Sequence, residues 1–157
     1  MLATENPAPN HEMVNRLDSA VSEVFEMMME RSCDPTDGDV TIVDGKVIAR
    51  IQFTGALSGE CLLYASPATA AVTAEALLGS ASSQGCDPMA DDAIGELCNM
   101  IAGGWKNKLE HPQDSCKISV PAVTREGFAG LEGKAGMKFS RTYSFQGNLF
   151  GIVLSFS

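Results

Sequence analysis

An α+β domain, with helices packed on a largely antiparallel sheet in the order α-β-β-α-α-β-β-β, is what this 157-residue sequence predicts. Two patterns carry that expectation. Apolar residues recur at helical spacing from Met13 to Met28 and again from Ala90 to Trp105. Elsewhere they alternate with period two, in runs that follow one another in pairs, and strands adjacent in sequence imply antiparallel pairing beneath packed helices.

Residues 1–9 read as disordered and residues 10–157 as a single domain. Asn10 caps the first helix, whose Met13, Val14, Leu17, Ala20, Val21, Val24, Phe25 and Met28 share one face that must cover a core. The run Met27-Met28-Met29 reads as core filler at helical spacing rather than as a plastic binding surface. Asp34 to Asp39 reads as a loop; its glycine comes too early for a calcium loop, and no glutamate sits at the closing position. Val47, Ala49, Ile51 and Phe53 alternate as a half-buried strand, Gly55 to Gly59 breaks it, and Glu60 to Ala65 completes a hairpin. Ser66-Pro67 opens a short alanine-rich helix that ends near Gly79, and Ser80 to Gly85 is a polar linker. After His111-Pro112, Lys117 to Val123 reads as one strand and Met137 to Phe145 as another. Leu149 to Phe156 closes the chain through a turn at Gln146-Gly147-Asn148. Gly127 to Gly136 reads as a mobile loop.

The helix entered after that linker carries the chemistry. Asp87 can cap it, Pro88 suits its first position, and Asp91 and Asp92 complement its positive end. At about 100° per residue, Asp92, Glu96, Asn99 and Gly103 fall on one narrow stripe, with Ala90, Ile94, Leu97, Cys98, Ile101 and Trp105 opposite. Glu96 and Asn99 should therefore point outward together, an acid and an amide one turn apart, suited to positioning water. Gly95, Gly103 and Gly104 each cost roughly 1 kcal/mol relative to alanine inside a helix. Gly103 either admits another surface close to the stripe or marks where the helix ends or kinks. Glu12-Met13-Val14-Asn15 repeats the acid–amide spacing without the apolar pair and glycine that follow Asn99, and serves as an internal control.

Composition narrows the classes. With 45% hydrophobic and 20% charged residues, the chain can bury one substantial core. The first residues have neither a basic region nor an apolar run, and no segment approaches the roughly 20 apolar residues that span a bilayer, so a cytoplasmic location is expected. A net charge of −9 without a Lys/Arg stripe argues against nucleic acid or an acidic membrane as partner. Lys106 and Lys108 read as compensation of a helix C-terminal dipole. Cys33, Cys61, Cys86, Cys98 and Cys116 form no C-x-x-C pair, and with His11 and His111 alone beside them neither zinc nor a disulfide framework fits. Cys61 and Cys98 read as small buried hydrophobes rather than as a nucleophile paired with His111.

The run from Glu96 through Asn99, Met100, Ile101 and Gly103 resembles the signature of the CheC/CheX/FliY family of response-regulator phosphatases. In that family a helix carries E-x-x-N followed by an apolar pair and a glycine. One convincing copy of the motif makes the resemblance CheX-like rather than CheC-like. The run departs from the pattern at Gly104, where asparagine is expected, and at Trp105, where a small residue is usual. The resemblance implies hydrolysis of the aspartyl phosphate of a CheY-type receiver, with Asn99 orienting the attacking water. It implies that Glu96 docks by pairing with a receiver lysine, beside Asp92 and Gly103 on the partner-binding surface. No cofactor is expected on this chain, Mg2+ being held by the receiver, and the resemblance implies a homodimer; a structural reading of the residues themselves offers the Met-rich first helix and an edge strand as its interface. The alternative is a non-catalytic adaptor that binds a receiver through the same helix without turnover.

Overall fold

The computed structural model describes residues 11–30, 32–36, 47–55, 58–78, 88–108, 116–124 and 137–156. Helix α1 (His11–Met29) leads into a short strand β1 (Asp34–Thr36), followed by β2 (Val47–Gly55) and β3 (Gly59–Ala65). Helices α2 (Pro67–Leu78) and α3 (Pro88–Asn107) come next, and β4 (Cys116–Ile118), β5 (Ala122–Thr124), β6 (Met137–Phe145) and β7 (Asn148–Phe156) complete the order. The strands form one seven-stranded sheet in the order β1-β6-β7-β3-β2-β4, with β5 also on β2, and every pair is antiparallel. The fold class and the order of the long elements are those the sequence predicts. The readings of residues 1–9, of the caps Asn10 and Asp87, of the Ser80–Gly85 linker, of His111 and of Gly127 to Gly136 lie outside the described residues.

Alternation decides which face of the sheet is covered. Val47, Ala49, Ile51 and Phe53 of β2, Cys61, Leu63 and Ala65 of β3, and Phe150, Ile152 and Leu154 of β7 are buried in one cluster with the helices. The intervening Ile48, Leu62, Tyr64 and Val153 form a second, smaller cluster on the opposite face. There the Tyr64 ring lies over Gly151, its strand partner, so closely that a Cβ at 151 would sit 2.3 Å from the ring. Glycine is required at that position by the ring, not by the backbone.

Helix α1 crosses the β6–β7 half of the sheet. Phe25 stacks on Phe150 at 5.6 Å and meets Phe145 at 4.8 Å, while Tyr143 stacks on Phe150 at 5.5 Å. Asp18 fixes the angle of approach, accepting hydrogen bonds from Arg141 at 3.0 and 2.8 Å and from the Tyr143 hydroxyl at 2.7 Å. Burial, then the Asp18 hydrogen bond, pushes the Tyr143 phenol well above its usual range, so it stays a neutral donor.

Four local expectations change. Met28 is 46% exposed and Met27 74%, whereas Met29 is buried. The helix ends at Glu30 with φ of 55°, and Met29 joins the main core cluster together with Cys33, leaving the other two methionines outside. Asp34 to Thr36, expected in a loop, pairs with β6 from Asp34↔Ser144 to Thr36↔Thr142. Three residues with a proline carry no period, and proline is tolerated there because the strand is at the sheet edge. Lys117 to Val123, expected as one strand, is broken into β4 and β5. Lys108 does more than offset a dipole, since its Nζ lies 2.8 Å from the Glu23 carboxylate and ties the end of α3 to α1.

Turn and cap chemistry follow the expected rules elsewhere. Ser66 Oγ accepts the Thr69 N–H at 3.1 Å, capping α2 immediately before Pro67. Gln146 and Gly147 both have positive φ, 54° and 80°, the two-residue geometry whose twist matches the strands it joins.

Candidate functional site

Helix α3 is enclosed on every side but one. It packs on β2 and β3 below, on α1 and α2 to its flanks, and on β5. Ala90, Ala93, Ile94, Leu97, Cys98, Ile101, Ala102 and Trp105 are all buried, as the helical period requires. The remaining strip carries Asp92 and Glu96, both exposed, then Asn99 and Gly103, both half-buried. The stripe expected from sequence is therefore present and faces outward, on a helix whose position three neighbours determine.

The glycines have separate explanations. Gly104 faces α1, where a Cβ would stand 3.5 Å from the Ala20 Cβ, so the two helices meet through small residues. At Gly95 a Cβ would lie 3.1 Å from Val123 Cγ2 and 3.4 Å from Pro121 Cβ, so the absent side chain lets the edge strand close against the helix. Gly103 has Ile118 Cδ1 at 3.8 Å from its would-be Cβ, and the helix continues past it to Asn107. Of the two readings of Gly103, the helix end is not realised, and the Ile118 contact is an ordinary one that a side chain at 103 would tolerate.

Gly104 and Trp105, where the run departs from the family pattern, both point away from the stripe. Trp105 is fully buried and meets Phe53 at 5.8 Å with the rings inclined by 50°. A residue nine positions after Glu96 is turned half a revolution from it, so the indole fills core beneath the site and leaves the outward face unobstructed.

A concavity of about 290 Å3 is lined by Asp18, Ser19, Ser22, Glu23, Cys33, Asp34 and Pro35, none of them on α3. Burial, then the nearby Asp34, pushes the Cys33 thiol up to about 12, so no thiolate is available in that concavity near neutral pH. Cys98 is buried against the carbonyls of Ala49 and Cys61, and its hydrogen bond with Cys61 followed by burial holds it protonated. Cys61 and Cys98 are the buried core thiols their sequence positions suggest, and Cys33, for which the sequence made no such case, is buried as well. Among the described residues, no three His, Cys, Asp or Glu side chains converge to hold a metal ion, and no helix is long and apolar enough to cross a membrane.

The control pair is differently placed. Glu12 and Asn15 are exposed in the first turns of α1, and Glu12 is already engaged, 2.6 Å from the Arg16 guanidinium. A first turn frays and cannot hold an amide in one place. Asn15→Ala is expected to leave the receiver-phosphatase activity that the resemblance implies undiminished and to change stability by under about 1 kcal/mol. Steady-state phosphate release and a thermal melt check this, and a large catalytic loss with folding intact would reveal a second active face.

Sequence reasoning missed the segment that lies against this helix. Pro121 inside an expected strand was the available signal, because proline confines a strand to an edge or a bulge.

A helix-covered antiparallel sheet whose central helix presents an acid and an amide to solvent defines an α+β protein of the CheC-like class. A CheC-like protein from a Shewanella species, PV-4, superposes with a TM-score of 0.78 at 20% identity, over 95% of this chain and 99% of that one. The CheX–CheY–BeF3–Mg2+ complex from Borrelia burgdorferi contains the same fold, with a TM-score of 0.72 at 16% identity over 92% of this chain and 97% of that one. Within that class the chain belongs to the CheX family: residues 47–140 match the family described as chemotaxis phosphatase CheX. The CheY-P phosphatase CheX of Thermotoga maritima is 30% identical over 116 residues, 71% of this chain and 74% of that protein.

Proposed function

We propose that this chain hydrolyses the aspartyl phosphate of a CheY-type receiver protein by inserting α3 into the receiver's phosphorylated pocket. The observation that carries the reading is the outward placement of Glu96 and half-buried Asn99 on a helix locked against the sheet, in a chain of the CheX family. An acyl phosphate is already reactive, so the protein's task is to place water in line and exclude unproductive arrangements. The Asn99 amide oxygen accepts a hydrogen bond from the attacking water while its amino group donates to a neighbouring acceptor, which orients the water without requiring a base. Glu96, one turn earlier, pairs with a lysine of the receiver, a charge-assisted contact that strengthens as binding removes water. Asp92 and Gly103 extend the same contact surface on either side. Mg2+ belongs to the receiver in this reading, where it offsets phosphoryl charge, and this chain binds no cofactor.

A cytoplasmic homodimer is part of the same proposal. The exposed Met27 and Met28 lie at the end of α1 next to the edge strand β1, an apolar and adaptable surface for a second copy. That edge is opposite the one bordering α3, so pairing there leaves the Glu96–Asn99 face open.

Phosphate release from candidate phospho-receivers, with and without the protein, tests the reading. Acceleration is expected for a cognate receiver. Binding without acceleration would replace the enzyme by an adaptor. Glu96→Ala should weaken complex formation as well as slow turnover, with Glu96→Gln recovering less than half of the binding free energy because the charge is lost. Titration with a receiver activated by beryllofluoride measures it, and unchanged affinity with lost turnover would move Glu96 from docking to chemistry.

A further inference from the structure

The sheet edge beside α3 contains a bulge. Phe53 pairs with Ile118 and Arg50 with Ala122, so Ser119, Val120 and Pro121 on the edge oppose only Gln52 and Ile51 on β2. One residue is in excess, which bends the edge and re-aims a side chain. The bulge is held firmly. The Ser119 N–H donates to Gln52 O at 2.9 Å, Ser119 Oγ accepts the Gln52 N–H at 2.9 Å, and its hydroxyl donates to Val120 O at 2.9 Å. Proline at 121 restricts the backbone further. Held this way, Val120 is 83% exposed, the most exposed large apolar side chain among the described residues.

The bulge borders the proposed reaction site. Ile118 lies against Gly103, and Pro121 and Val123 against Gly95, so the edge runs antiparallel to the helix along its Gly95–Gly103 stretch. That stretch is about 12 Å long at 1.5 Å per residue, and Asn99 is at its midpoint. The chain between these contacts, which contains Val120, passes at the level of Asn99. A specific protein interface covers about 800 Å2 on each partner, a disc of about 16 Å radius. A globular partner centred on Asn99 therefore covers Val120 as well.

Resting on the receiver-phosphatase reading, we propose that the Ser119–Val120–Pro121 bulge is a second anchor for the receiver, with Val120 seated on apolar side chains that rim the receiver's phosphoryl pocket. A second copy of this chain fits the bulge less well. Proline offers no N–H to an added strand, and a bulged edge resists strand pairing. The division of labour is then a chemical strip on α3 and an apolar strip on the edge, joined through Gly95 and Gly103.

Val120→Asp tests the assignment with the full-length protein and a cognate phospho-receiver. The KM for phospho-receiver should rise about tenfold or more while kcat at saturation stays within about twofold, because the contact is equally present in ground and transition states. Val120→Ala should raise KM by a smaller factor in the same direction. Circular dichroism and the melting midpoint should match wild type, given the exposure of the site. An unchanged KM would overturn the anchor while leaving the phosphatase reading intact. If wild type binds beryllofluoride-activated receiver without hydrolysing a phospho-receiver, titration decides: weaker binding by Val120→Asp supports the anchor although the phosphatase reading falls, and equal binding overturns it. Dissociation of a homodimer by Val120→Asp with receiver affinity unchanged would also overturn it, assigning the bulge to a second copy.

Discussion

Asn99→Ala is expected to lower receiver dephosphorylation by about 100-fold while leaving affinity for the activated receiver within about twofold. The amide is half-buried on α3, and its removal exposes no core, since Ile94, Leu97, Cys98, Ile101 and Ala102 behind it are untouched. Alanine is also the better helix former, so the fold should hold or gain slightly. What disappears is one group that places a water molecule, an interaction made only as the reaction proceeds. Rates from single-turnover phosphate release and affinities from titration separate the two effects. Acceleration surviving within severalfold would remove Asn99 from the chemistry, and parallel loss of affinity would make it a docking residue.

Trp105→Ala carries the largest expected effect on stability, about 3–5 kcal/mol. The indole is fully buried, inclined on Phe53, and sits where α3 crosses β2 in the main core. Alanine there leaves a cavity that the surrounding helices cannot close without moving α3. For a chain of this size the melting midpoint should fall on the order of 10 °C. Because the indole faces away from Glu96 and Asn99, activity per folded molecule measured well below the midpoint should stay close to wild type. A melting midpoint close to wild type would mean that the core collapses around the gap, and a selective loss of activity would mean that Trp105 shapes the site despite its direction.

The contrast between Glu96/Asn99 and Glu12/Asn15 shows how far local pattern reaches. Both pairs have one spacing, and both are on helices whose opposite face is buried, but Glu96 and Asn99 lie in the interior of α3 whereas Glu12 and Asn15 occupy the first turns of α1, which fray. That difference was legible, because the place of a pair within its helix follows from the cap and from where the apolar period begins. So were the β2–β3 and β6–β7 hairpins, where alternation and turn residues are local signals. Met27 and Met28 read as core and lie outside, while Met29 is buried as expected, because the period specifies a face but not where a helix outruns its cover. The strand β1 escaped because three residues containing proline have no pattern of their own; pairing with β6, more than a hundred residues away, makes them a strand.

By itself the sequence determined the α+β class, the outward acid and amide, and membership in a family whose signature those residues carry. The class follows from the order of periodic segments, the outward pair from spacing within one helix, and the family from residue identities along the chain, and all three are written in the chain whatever its tertiary contacts. Tertiary structure alone decided what the glycines of α3 are for. Gly104 admits α1 through Ala20, and Gly95 admits the bulged edge through Pro121 and Val123, contacts between segments distant in sequence that no periodicity encodes. Close packing there depends on shapes meeting across space, and that is why the second strip of the proposed docking surface became visible only with the fold.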